Sequence, residues 1–126
     1  MVDLQKVEAG FKKLVDSINK NPKAKDILKS WLKGYYGKIH NFQIGEKEFH
    51  IVFRPDGAQF GSGLYPAPDL TLKVEPDAWN DMISGKAKPI GSGSLLEQGK
   101  LMIYGAGNEI GMFTKLAMTV GVIPLG

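Results

Sequence analysis

The 126-residue chain has no cysteine. Disulfide staples and thiolate chemistry are therefore both excluded, a composition that fits a reducing compartment. Arginine is almost missing: fifteen of the sixteen basic residues are lysine, and the only arginine is Arg54. Nucleic-acid readout leans on the arginine fork, so its near absence argues against a nucleic-acid partner. Long apolar runs are also missing. The most apolar stretch, Leu116 to Leu125, is ten residues long and is interrupted by Gly121 and Pro124, too short and too broken for a bilayer. Met1-Val2-Asp3-Leu4-Gln5-Lys6 starts no apolar signal-peptide core. Together these absences lead to the expectation of a soluble, cytoplasmic protein of one domain, residues 1–126.

Catalytic patterns are equally scarce. The two histidines, His40 and His50, fall on adjacent predicted strands. A hairpin could make them near neighbours, but two histidines without a third ligand are a poor metal site. Gly91-Ser92-Gly93-Ser94-Leu95 is not a nucleophile elbow. Gly105-Ala106-Gly107-Asn108-Glu109-Ile110-Gly111 follows a predicted strand and opens a predicted helix, as a dinucleotide turn does, yet its spacing is off by one. The sequence after it has no room for the second strand and acidic residue such a unit needs. Asp77 and Asp81, one helical turn apart, read as a solvated face rather than an acid–base pair. No catalytic residue, metal site or cofactor is expected.

What the chain does have is lysine and apolar side chains. Nine lysines stand against three acids between Lys6 and Lys38, although the net charge is only +3. That basic stretch is either a solvated face or a surface for an anionic membrane or phosphate-bearing ligand. Phenylalanine, methionine and tryptophan together contribute thirteen residues. Met82, Met102, Met112 and Met118 are flexible fillers, suited to a plain core or to a loosely defined ligand.

The periodicity sets out the elements in order. Leu4, Val7, Phe11, Leu14, Val15 and Ile18 form one stripe of a predicted helix over 3–19. Asn21-Pro22 ends it and starts a second, with Asn21 as N-cap. Strands are predicted over 36–44 and 48–54, joined as a hairpin through Gly45-Glu46-Lys47. Pro55-Asp56-Gly57 turns the chain into a third strand over 58–64, with Phe60 and Leu64 on one face. Gly61 and Gly63 occupy its other face, which invites a close approach to the backbone. A fourth strand spans 69–75, with Leu70, Leu72 and Val74 inward. Pro76 opens a helix to Ser84 with Trp79, Met82 and Ile83 on its apolar side, and one helical turn is expected over 94–98. Leu101-Met102-Ile103-Tyr104, apolar throughout and bracketed by Gly99 and Gly105, is expected to be a central strand covered on both faces. The last helix starts near Asn108 as N-cap, with Glu109 in its first turn and Ile110, Phe113, Leu116, Ala117 and Val120 as its stripe.

Several of these segments, in this order, are distinctive. They are the strand Pro68-Asp69-Leu70-Thr71-Leu72, the helix ending Trp79-Asn80-Asp81-Met82-Ile83-Ser84-Gly85-Lys86, the run Gln98-Gly99-Lys100-Leu101-Met102-Ile103-Tyr104-Gly105, and the helix through Met112-Phe113-Thr114-Lys115-Leu116. In this the sequence resembles the sterol carrier protein type 2 family of sterol and lipid transfer domains. The resemblance implies an α+β fold: a five-stranded, mostly antiparallel sheet with helices packed on one face, enclosing an apolar tunnel. It also implies non-catalytic binding and transfer of a sterol, fatty acid, fatty acyl-CoA or other lipid. Carried over to this chain, Met112, Phe113, Leu116 and Ala117 would lie near the ligand, with Trp79, Met82 and Ile83 on another side. The inward strand positions Phe53, Phe60, Leu72, Leu101 and Ile103 complete the expected lipid-contacting set. The expected partners are a lipid or acyl-CoA and a transient anionic membrane surface, with the protein a monomer or homodimer. The competing reading is an accessory module of an acyl-CoA-metabolising enzyme, its apolar face filled by its own side chains or a second subunit.

Overall fold

Asp3 starts the first helix: its carboxylate accepts the backbone N–H groups of Gln5 and Lys6 at 3.0 and 3.3 Å. The computed structural model describes residues 2–126, and α1 runs Leu4–Lys20 with Val7, Phe11, Leu14, Val15 and Ile18 buried. Asn21 then caps α2 (Pro22–Trp31), its side-chain oxygen accepting from Ala24 N–H at 3.0 Å, with Pro22 in the first turn where no donor is needed.

Five strands follow. β1 (Lys38–Ile44) and β2 (Lys47–Arg54) form the expected hairpin, Ile44 opposite Lys47, around a turn in which Gly45 takes φ +58°. β3 (Gly57–Ser62) pairs antiparallel with β2. It ends before Leu64, which is exposed rather than on the sheet. The Asn19 carboxamide ties this edge to α1, accepting from Ala58 N–H at 2.7 Å and donating to Ala58 C=O at 2.8 Å. β4 (Leu70–Val74) crosses over to lie parallel to β1, and β5 (Leu101–Gly105) pairs antiparallel with β4. α3 (Pro76–Ile83) and α4 (Glu109–Val120) complete the chain. The sheet order is β3-β2-β1-β4-β5, mixed and mostly antiparallel, with the helices on one face.

The expected central strand is an edge. Among the described residues, β5 pairs with β4 alone. Leu101 is buried and Ile103 half-buried towards the helices, while Met102 and Tyr104 are 46% and 53% exposed on the other face. An unbroken apolar run therefore did not signal two covered faces. The middle of the sheet is β1, whose outward residues Asn41 and Gln43 are polar. Buried Asn41 is satisfied there by Tyr65, donating to its C=O and accepting from its N–H at 2.9 Å each.

Register also separates the histidines. His40 lies opposite Ile51 and His50 opposite Asn41, so the two rings occupy opposite faces of the sheet. The expected close approach to Gly61 is made by His50 itself. Its imidazole lies where a Gly61 side chain would begin, and its Nδ1 donates to Gly63 C=O at 2.9 Å.

Phe11 sits at the centre of the core, its ring centroid 4.6 to 5.7 Å from those of Phe49, Phe42, Trp79 and Phe113. Such ring pairs add about 0.5–1.5 kcal/mol each beyond the area they bury. Trp79 Nε1 donates to Pro124 C=O at 2.8 Å, which holds residues 122–126 against α1 and α3.

Candidate lipid-binding site

The far side of the helical layer is not filled. α3 stops at Ile83, where Ser84 Oγ donates to Asn80 C=O at 2.6 Å and Gly85 takes φ +81° to reverse the chain. Both Lys86 and Ala87 N–H donate to Asp81 C=O, so the loop after α3 leaves at a fixed angle. Leu95 is buried and its N–H donates to Lys88 C=O at 3.0 Å, which folds residues 88–95 back and presents Pro89 and Ile90. Opposite them, Gly105 at φ +115° passes so close to Asp69 C=O that no side chain would fit.

Asn108 occupies the expected cap position of α4 but makes no capping bond, since its backbone is already helical at φ −65°, ψ −16°. Instead the first turn is closed by i→i−3 bonds: Glu109 to Ala106, Ile110 to Gly107 and Gly111 to Asn108.

Between these elements lies an open cavity of about 910 Å³. Leu72 forms its floor, Met82 and Ile83 one side, Pro89 and Ile90 another. Gly107, Asn108, Ile110, Gly111, Phe113, Thr114, Lys115, Met118 and Thr119 form the α4 wall. The volume falls within the roughly 300–1,000 Å³ range of small-molecule sites.

Of the residues singled out from sequence, Leu72, Met82, Ile83 and Phe113 face this cavity. Ala117 joins Met82 and Ile83 on an adjoining cavity of about 290 Å³, together with Met118 and Ile123. Met112 lies elsewhere, in a groove of about 440 Å³ shared with Ile27, Ser30 and Trp31 of α2. Phe53, Trp79, Leu101 and Leu116 are fully buried in the solid core, and Ile103 is half-buried. Phe60 packs on Phe49 with the Lys12 ammonium 5.5 Å from its ring. The reading missed Pro89, Ile90 and most of the α4 wall. Ile110, Thr114 and Met118, spaced by four, carried a usable signal; residues 85–93 have no period and carried none.

Beneath the α4 wall is a charged cluster that the sequence did not announce. Glu109 was expected only as a first-turn dipole partner. It is buried, with Oε1 2.8 Å from His40 Nε2 and Oε2 3.1 Å from Lys38 Nζ. The Lys38 ammonium also sits 4.9 Å from the Tyr35 ring centre. Burial pushes the Glu109 carboxyl up, but the hydrogen bonds from His40 and Lys38 and their positive charge outweigh it. The net result is a carboxyl held below its usual range. The cluster ties the start of α4 to the central strand. Among the described residues, no three of His, Asp and Glu come together as a metal-ligand set.

Residues 11–120 match the model of the SCP-2 sterol transfer family. The chain belongs to the SCP-2 sterol transfer family. This is a family of lipid-binding and transfer domains, generally without catalysis. Solved SCP-2 structures share the fold. The UbiJ-SCP2 ubiquinone synthesis protein is similar at TM-score 0.61 and 18% identity, over 86% of this chain and 90% of that one. Sterol carrier protein 2 from Yarrowia lipolytica, in its apo form, is similar at TM-score 0.60 and 19% identity, over 87% and 88%. The chain also resembles part of the stereoselective inverting sec-alkylsulfatase from Pseudomonas sp., at TM-score 0.56 and 17% identity. That match covers 73% of this chain but only 14% of the enzyme. At such identities these likenesses show fold alone. No curated protein matches the chain in sequence. Among the described residues, no helix is long and apolar enough to cross a membrane.

Proposed function

We propose that this SCP-2 chain binds a hydrophobic ligand, without catalysis, in the cavity between α3, the 85–93 loop and α4, and passes it on. The ligand class is a sterol, fatty acid, fatty acyl-CoA or other lipid. The observation that carries this reading is the cavity itself: about 910 Å³ lined by Leu72, Met82, Ile83, Pro89, Ile90, Ile110, Phe113 and Met118. Burying an acyl chain there contributes about 0.8 kcal/mol per methylene. Met82 and Met118 adapt the wall to different chain shapes. A closed tunnel would form when α4 and the 85–93 loop draw together over the bound chain.

Native mass spectrometry of freshly purified protein, followed by organic extraction, tests the proposal. A co-purified lipid, or a rise in melting temperature with fatty acid, palmitoyl-CoA or sterol, is the expected outcome. A clean apo mass with no melting shift for any of them would favour the accessory-module reading. The lysines of α1 and α2 give the protein a surface for transient contact with an anionic membrane. Salt-sensitive co-sedimentation with phosphatidylserine vesicles, absent with phosphatidylcholine alone, is the outcome expected for that contact.

A further inference from the structure

Among the described residues, the lining of the main cavity contains one charged side chain, Lys115, and no carboxylate. Its other polar side chains are Asn108, Thr114 and Thr119. Both threonine hydroxyls are committed to their own helix, Thr114 to Ile110 C=O at 3.0 Å and Thr119 to Lys115 C=O at 2.8 Å. Lys115 forms no ion pair among the described residues, unlike Lys20, Lys38 and Lys47. It also stands on a ridge: the same residue lines the groove between α2 and α4, where Asp26 is present but not paired with it. The ammonium is exposed, so it costs nothing in desolvation at rest, while its methylene stem covers apolar wall.

We propose that Lys115 is the specificity-determining residue of this site and that the favoured ligand is a single-chain amphiphile with an anionic head, carboxylate or phosphate. The acyl chain lies along Met82, Ile83, Ile90 and Met118, and the head comes to rest at the rim against the Lys115 ammonium. A lysine is a compact point charge with three donors, which accepts either anion without demanding a planar fork. The inference rests on the lipid-binding reading above and refines it. A neutral sterol or alcohol fills the same space but leaves the cation of the cavity lining without a partner.

The test compares dodecanoate, dodecyl phosphate and 1-dodecanol at pH 8, by calorimetric titration below their aggregation limits. An ion pair at an exposed rim corresponds to about a two- to five-fold preference for anion over alcohol. That preference is expected to shrink with added salt. Lys115→Met is expected to bring the ratio to one and Lys115→Glu to invert it. Lys73→Met, which removes the same charge from the exposed outer face of β4, is expected to keep the ratio. Whichever anion wins names the head group. Equal binding of anion and alcohol by the wild type, or an unchanged ratio in Lys115→Met, overturns the proposal and leaves the lipid-binding reading standing. Failure of the wild type to bind any of the three, together with no melting shift from sterol or palmitoyl-CoA, defeats that reading instead.

Discussion

The two halves of the helical layer are built differently. On the α1 side, Phe11, Phe42, Phe49, Trp79 and Phe113 form a continuous block of rings with no room for a guest. On the α4 side, the surfaces facing one another are methionine, isoleucine, proline and glycine, and a cavity stands between them. Phe113 belongs to both: it is buried in the ring block and also forms part of the cavity wall. The contrast shows how one small domain combines a fixed scaffold with an adaptable wall. Aromatic rings have few rotamers and hold the sheet to α1, whereas methionine yields to its contents.

Substitutions in each half should therefore behave differently. Phe11→Ala removes the ring at the centre of the block and is expected to cost about 3–5 kcal/mol, read from urea unfolding. A cost under about 1 kcal/mol would mean the block is not the scaffold described. Glu109→Ala unties α4 from β1 and is expected to cost about 1–3 kcal/mol, because buried His40 and half-buried Lys38 lose their shared acceptor.

The pH dependence of that contribution has a definite sign. The carboxyl is held below its usual range when folded, so its stabilisation is fully present above the unfolded value of about 4.3. It is lost as pH falls through the folded value. The difference in melting temperature between wild type and Glu109→Gln is expected to be constant from pH 7 to pH 5 and to narrow below about pH 4. A difference that does not narrow on acidification would mean that the carboxylate does not carry the contribution.

In the open half, Gly111 has no atom within 4 Å of where a side chain would begin. Gly111→Ala is expected to stabilise the apo protein by up to about 1 kcal/mol through helix propensity. Gly111→Phe is expected to keep the fold and abolish lipid-dependent melting shifts. Met118, 71% exposed, gives the smallest effect: Met118→Ser is expected to change apo stability by less than about 0.5 kcal/mol while weakening lipid binding. A large stability loss at either position would mean that the wall is core after all.

Local chemistry was readable from the sequence, and assembly was not. Asn21-Pro22 and the Gly45 turn each declare their structure within a few residues, and the structure agrees. The edge position of β5 was hidden because hydropathy reports how apolar a strand is, not which strands it pairs with. His40 and His50 were read as able to come together in the hairpin. A one-residue offset in register sends them to opposite faces, and only the assembled hairpin fixes that offset. Glu109 looked like a solvated helix start because its partners lie about seventy residues earlier. Four of the twelve residues expected to contact lipid face the main cavity, since an apolar stripe does not say whether its partner is a side chain or a void.

The parallel seam between β1 and β4 has a kinetic consequence. β1, β2 and β3 are joined by tight turns, so their ladders close early and cheaply. β4 reaches β1 only when Ile39 and Asp69, thirty positions apart, come together, with Asp69 Oδ2 accepting Ile39 N–H at 2.8 Å. β5 docks on β4 after another long connection. Amide protection should therefore be deepest in the meander and shallower across the seam, where β4, β5 and the cavity wall open as one unit. Such an opening would uncover the cavity wall with half of the sheet still folded.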